Sequence, residues 1–166
     1  RTHVMGNIKF DFALPDATQV RGAALRAEHA AGRPVWVAGS THAKEEDLLL
    51  DAHRLVRSRH PDALLILVPR HPARFAEVRA ALESQGVGFA ARSRRERCVA
   101  GTEVYLGDTL GELVMLYAAG DVAFVGGSLV PIGGHNLLEP AALGLPVLTG
   151  PHTFNAEDIA QLLVAE

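Results

Sequence analysis

The chain has 166 residues, of which 48% are hydrophobic and 21% charged, with a formal net charge of -3. That composition fits one globular domain with a real core and excludes a disordered segment. No run approaches the ~18 apolar residues of a membrane span, no signal peptide is visible, and the single Cys98 excludes an intrachain disulfide.

The charge is unevenly placed. All 16 Lys and Arg lie between Arg1 and Arg97, whereas Val99 to Glu166 carries acids and no formal positive charge. An anionic ligand would therefore take its cations from the first half, and backbone N–H groups, His and Asn from the second. The basic residues form no long contiguous patch and only 5% of the chain is aromatic, a poor basis for nucleic-acid binding.

In chain order, Val4 to Phe10 reads as a short extended lead-in. Asp16 is placed to cap a helix running to about Ala31, with Val20, Ala24 and Ala27 at helical spacing and Gly32 as its stop. Pro34 to Ala38 is the first core strand. The spacing predicts a crossover helix from Lys44 to Arg59, buried through Leu48, Ala52, Leu55 and Val56, with three acids near its N-terminus matching the dipole. Ala63 to Val68 is a continuous apolar strand, as a sheet covered on both faces requires. A helix opened by Pro72 runs to Gln85, with Phe75, Val78 and Leu82 inward. Val87 to Ala90 is a weaker third strand, and the charge run Arg92 to Arg97 reads as a solvated loop. Val104 to Leu106 is the fourth strand. Thr109 and Glu112 have capping-box spacing for a helix to Ala119 with Leu113, Leu116 and Tyr117 on its apolar side. A fifth strand starts at Asp121, a short helix spans Asn136 to Leu143, and Pro146 to Leu148 is the sixth strand. A last helix begins near Ala156.

Six strands spaced by helical crossovers make an α/β, Rossmann-like parallel sheet with helices on both faces. No GxGxxG follows the first strand, which argues against a standard dinucleotide site.

Ligands bind such sheets at the carboxyl ends of the strands, and that rule selects the candidate residues. Ser40, Thr41 and His42 follow the first strand, and Arg70 and His71 follow the second. Gly126, Gly127, Ser128, Gly133, Gly134, His135 and Asn136 follow the fifth, and His152 and Asn155 border the last loop. A glycine loop leading into a helix presents backbone N–H groups to an anion. His135 and Glu139 lie four apart on one helix face, where Glu139 suits a ribose diol and His135 a phosphate or carboxylate. Those two residues do not complete a metal site, and none is expected. His29, His53 and His60 sit away from the strand ends and receive no role, and Trp36 is assigned to the core. No Ser/His/Asp or Cys/His constellation stands out, so the site reads as a binder of an activated, anionic small molecule.

GNIKFD, AGSTH, LVPRHPARF, LGDTLGEL and FVGGSLVPIGGHNLLEPAALGLPVLTGPHTFN together resemble the 3-deoxy-D-manno-octulosonic acid (Kdo) transferases of lipopolysaccharide assembly, from Gly6 to Asn155. The resemblance implies the C-terminal half of a GT-B glycosyltransferase, with residues 1–166 as a nucleotide-sugar-binding domain cut before the closing helices. The donor would be CMP-Kdo, with no cofactor, transferred with inversion to a lipid A precursor. The acceptor and the catalytic base would belong to an N-terminal domain absent here, so no catalytic residue is expected in this chain. The full-length enzyme would work at the cytoplasmic face of the inner membrane. By the same resemblance Glu139 would hold the cytidine ribose. Ser128, Gly133, Gly134, His135 and Asn136 would surround the donor's phosphate and sugar, and Arg70 and His71 would meet its anionic groups. Ile132 departs from the family, which commonly has arginine there. The alternatives are the donor half of another GT-B transferase or epimerase using a UDP-sugar, and a non-catalytic α/β interaction module.

Overall fold

The computed structural model describes Leu14 and residues 17–164. The N-terminal lead-in and the Asp16 cap lie outside the described residues. Six strands, β1 (Val35–Thr41), β2 (Leu64–Pro69), β3 (Phe89–Ala91), β4 (Val104–Leu106), β5 (Val122–Val125) and β6 (Val147–Thr149), form one sheet in the order β3-β4-β2-β1-β5-β6. Every pairing is parallel, and the central strand β2 is buried along its whole length. Among the described residues there are six α-helices, α1 (Thr18–His29), α2 (Glu45–Arg59), α3 (Phe75–Ser84), α4 (Leu113–Tyr117), α5 (Leu138–Ala141) and α6 (Glu157–Val164); α2 to α5 lie between strands, α1 precedes β1 and α6 follows β6.

Alternation along the strands splits the core into two layers. Ala38, Leu65, Leu67 and Phe124 pack against Leu49 and Leu50 of α2 and Val78 and Leu82 of α3. Val37, Leu64, Ile66 and Val125 face Leu25 of α1, Leu116 of α4 and Ile159 of α6. These are the layers of a doubly wound sheet.

Two helices present faces other than the expected ones. In α1 the buried residues are Thr18, Gly22, Leu25 and His29, while Val20, Ala24 and Ala27 are exposed. Glycine decides this orientation. A Cβ on Gly22 would come within 2.5 Å of the Ala118 Cβ, so α1 and the end of α4 approach closely only through that residue. In α2 the buried residues are Glu45, Glu46, Leu49, Leu50 and His53, leaving Leu48, Ala52 and Leu55 exposed and Val56 half-buried. Here the polar side chains decide, because each of Glu45, Glu46 and His53 has hydrogen-bond partners inside. Those hydrogen bonds offset the cost of desolvating the three polar side chains, and Leu48 and Leu55 are left on the outer face.

The capping box at Thr109 also resolves differently. The Thr109 hydroxyl donates to the Glu112 carboxylate (2.6 Å), but α4 starts only at Leu113. Glu112 is instead gripped by Arg92 through Nε (3.1 Å) and Nη2 (2.9 Å). Arg92 therefore turns inward, Glu96 accepts the Ala91 N–H at 2.8 Å and Ser93 donates to buried Asp108, while Arg94, Arg95 and Arg97 remain exposed.

Candidate functional site

Chain direction creates the crevice. From β1 the chain crosses to β2 on one side, and from β5 it crosses to β6 on the other, although β1 and β5 are neighbours. The connections diverge there and leave an opening at the carboxyl ends of β1 and β5.

His42, just past β1, and His135, in the loop after β5, meet across this opening. Their rings stack with centroids 5.0 Å apart and planes within 8°, and their Nε2 atoms are 2.7 Å apart. At that distance one Nε2 donates and the other accepts, so a single proton lies between them. Burial, the His42 ring and the Arg70 charge push the His135 pKa down to about 4, against the carboxylate of Glu45. His42 is also lowered, mainly by burial. The pair is therefore neutral at neutral pH, and an arriving anion would favour its protonation. His71, past β2, packs its ring edge-on to His42 at 5.2 Å. Arg70 is exposed, its backbone N–H anchored on the Thr41 carbonyl (2.9 Å), and its charge acts on both His135 and Glu139.

Glu139 lies in α5, where burial raises its carboxyl pKa against the opposing effects of Asn136 and Arg70. Asn136 spans the approach: its side-chain oxygen accepts the Leu138 N–H (3.1 Å) and its amide donates to Glu139 (3.3 Å). The Asn155 side chain donates to the Ile132 carbonyl (2.9 Å) and its backbone N–H to the Gly133 carbonyl (2.9 Å). A cleft of about 400 Å³ opens between Gly134, His135, Asn136 and Asn155. Gly133 and Gly134 both have positive φ, at +105° and +77°. A Cβ on Gly133 would strike Phe154 and Asn155. These glycines let the β5–α5 loop lie against the β6–α6 loop.

Other candidates are consumed inside the protein. Ser128 is fully buried; its hydroxyl donates to the Val125 carbonyl (2.6 Å) and accepts the Gly150 N–H (2.9 Å). Its carbonyl accepts the His152 N–H at 3.0 Å, tying in the last loop. Thr41 is equally buried and donates to Glu46, which also takes the Arg74 guanidinium at 2.7 Å. Ser40 holds a positive φ of +56°, and its carbonyl carbon and oxygen press on Gly126, where a Cβ would stand 2.5 Å from that oxygen.

The glycine-loop amides do not face outward as expected. The N–H groups of Gly127, Ser128 and Leu129 all donate to the carboxylate of Glu45, at 2.7, 3.0 and 2.9 Å. Glu45 and Glu46 were visible in the sequence only as acids at a helix N-terminus. Their signal was position, since they follow at once the loop that ends the first strand.

Among the described residues, no three His, Cys, Asp or Glu side chains are grouped to hold a metal ion, and no helix is long and apolar enough to cross a membrane. Two other clefts, of about 420 and 520 Å³, open around Arg92 and Tyr105 and around Cys98 and Gly101. The first is lined by the Arg92–Glu112 pair, and neither shares a lining residue with the cleft beside His135. His53 is buried at the opposite end of the sheet, accepting the Trp36 indole N–H at 3.0 Å and bonded to the Glu103 carbonyl at 2.9 Å.

A doubly wound parallel sheet with an imidazole and guanidinium cluster at its switch point has the form of one Rossmann-like half of a GT-B glycosyltransferase. It superposes on the crystal structure of the C-terminal CMP-Kdo binding domain of WaaA from Acinetobacter baumannii with a TM-score of 0.84 and 38% identity, covering 90% of this chain and 78% of that one. The 3-deoxy-D-manno-octulosonic acid transferases of Haemophilus influenzae and Bordetella pertussis are each 44% identical, over 99% and 98% of this chain. That of Aquifex aeolicus is 35% identical over 100% of it. No family model matches. The chain belongs to the Kdo transferase family, and it spans 38% of the length of the first two relatives.

Proposed function

We propose that this chain is the donor-binding half of a Kdo transferase and takes CMP-Kdo at the switch-point crevice. The observation that carries this reading is the convergence of His42, His71, Arg70 and His135 beside the desolvated Glu139. CMP-Kdo bears a phosphodiester and a carboxylate, and this cluster offers one fixed cation with three imidazoles. Asn136 lines the cleft beside His135 and donates to Glu139 at 3.3 Å, a pair with the acceptor and donor capacity that a ribose diol needs. The roles of Gly126, Gly127, Ser128, Ser40 and Thr41 are to shape the crevice, while Gly133, Gly134, His152 and Asn155 shape the cleft beside it.

In the reaction, the chain's own part is to orient the donor and to stabilise negative charge building on the departing CMP. Arg70 does so as a fixed charge, and the His42–His135 pair by taking up a proton from solvent when the anionic donor binds, so that it faces the departing CMP as a cation. The hydroxyl nucleophile of a lipid A precursor, the base that deprotonates it and the contact with the inner membrane are assigned to the remainder of the longer enzyme. By this reading residues 1–166 bind the donor and do not transfer it.

Calorimetric titration of CMP and then UMP, repeated with Glu139→Ala, tests the proposal. Preference for CMP, weakened at least tenfold by the substitution, is expected. Equal affinity for CMP and UMP would favour a UDP-sugar donor, and Kdo transfer by this chain alone would refute the division of labour.

A further inference from the structure

Glu45 is fully buried, yet among the described residues no lysine or arginine pairs with it. Four backbone N–H groups satisfy it instead. Oε1 accepts from Ser128 (3.0 Å) and Leu129 (2.9 Å), and Oε2 from Gly127 (2.7 Å) and His42 (2.9 Å). The Glu45 N–H in turn donates to the His42 carbonyl at 3.0 Å, so His42 is held at both ends of its peptide unit. Successive amides turned to one point form an anion-binding nest, and the protein fills this one with its own carboxylate.

The consequence reaches both imidazoles. Gly127, fixed by Glu45, is the floor beneath His135, where a Cβ would stand 3.0 Å from the His135 Cδ2. The Gly127 carbonyl accepts the Gly134 N–H at 2.7 Å, immediately before His135. One carboxylate thus sets the backbone on both sides of the 2.7 Å contact between His42 and His135. Ser128, on the same carboxylate, carries the tie onward to Gly150 and His152.

We propose that Glu45 is the positioning residue of the donor site, an internal anion that locks the loops after β1 and β5 so that His42 and His135 face a bound nucleotide as one unit. It does not touch the donor. This rests on the CMP reading of the crevice, but it has a signature of its own: removing the side chain empties a nest of four N–H groups that a small free carboxylate can refill.

The experiment is Glu45→Ala, studied well below its melting temperature, with CMP affinity measured by calorimetry and the His42 and His135 imidazole resonances by NMR, in 0 and 0.3 M sodium formate. The expected result is a loss of CMP affinity of at least tenfold and displaced imidazole resonances. Formate should restore both in the variant while leaving the ratio of variant to wild type near unity only at high formate. Wild-type affinity and unmoved resonances in the folded variant would overturn the proposal, as would a loss that formate does not reverse. If Glu45→Ala does not fold, Glu45→Gln takes its place, since its amide turns an N–H toward the same donors. Moved imidazole resonances with weaker CMP binding are expected there, and neither changing would overturn the proposal. Should the wild type bind no CMP, the donor reading fails, and the resonances and their response to formate still decide the role of Glu45.

Discussion

His53 should make this protein sensitive to mild acid by an amount that follows from its surroundings. Its Nδ1 accepts the Trp36 indole N–H at 3.0 Å, and its Nε2 faces the Glu103 carbonyl at 2.9 Å. The ring is therefore held as the neutral tautomer with its proton on Nε2, and a second proton would confront the indole N–H. Burial lowers its pKa from 6.5 to about 4, aided by Arg57 and Arg33 and opposed by the Glu103 carbonyl. A depressed histidine leaves stability untouched above the unfolded pKa, where both states are neutral. Between 6.5 and about 4 the unfolded chain binds the proton first, so stability falls as pH falls through that window. At ~1.4 kcal/mol per pKa unit, His53 alone removes about 2 kcal/mol between pH 7.5 and pH 5 and about 3 kcal/mol in full. Urea unfolding followed by the fluorescence of Trp36, the only tryptophan, measures this at several pH values for wild type and His53→Gln. The variant is expected to be less stable at pH 7.5 but to lose about 2 kcal/mol less on acidification to pH 5. Parallel pH profiles for the two proteins would refute the assignment of a neutral, depressed His53.

Two further outcomes are expected. Ile132 is 43% exposed beside Gly127, so Ile132→Arg adds a cation at the crevice without disturbing the core. CMP binding should tighten about fivefold and become more salt-dependent, as a surface charge contact worth about 1 kcal/mol implies; unchanged affinity at low salt would place the phosphate elsewhere. The Cys98 thiol is pushed up from 9.0 to about 11, chiefly by burial and against the nearby Arg33 charge. Its alkylation by iodoacetamide at pH 8 should run about a hundredfold slower than that of a free thiol, since the thiolate fraction falls in that proportion, and should rise to the free rate in urea.

The strands and most of the helices were legible in the sequence because each rests on local information. The all-apolar run of β2 announces a strand covered on both faces, and α3 ends at Ser84, close to the expected Gln85, with Gly86 at positive φ just beyond, whereas α1 ends at His29, short of the expected Ala31. The candidate site was legible for a topological reason: in a parallel sheet every strand-to-helix loop lies at one end, so His42, Arg70 and His135 had to share an edge. The long glycine-rich segment from Phe124 to Asn155 also carried the family resemblance, which the identity to the Kdo transferases bears out.

Helix orientation and polar pairing were decided only by the tertiary structure. Hydrophobic spacing alone admits several faces for α1 and α2, and the Gly22–Ala118 contact and the buried carboxylates of Glu45 and Glu46 choose among them. Nor does a glycine loop state where its amides point, because that depends on whether another part of the chain supplies an anion first. Glu45 comes from α2, 82 positions before Gly127, and no local pattern joins them. Propensity and period are properties of neighbours in sequence and fix the elements and their order. Hydrogen-bond partners for buried charges are settled in space, since a desolvated carboxylate takes whichever donors the packed fold brings within reach.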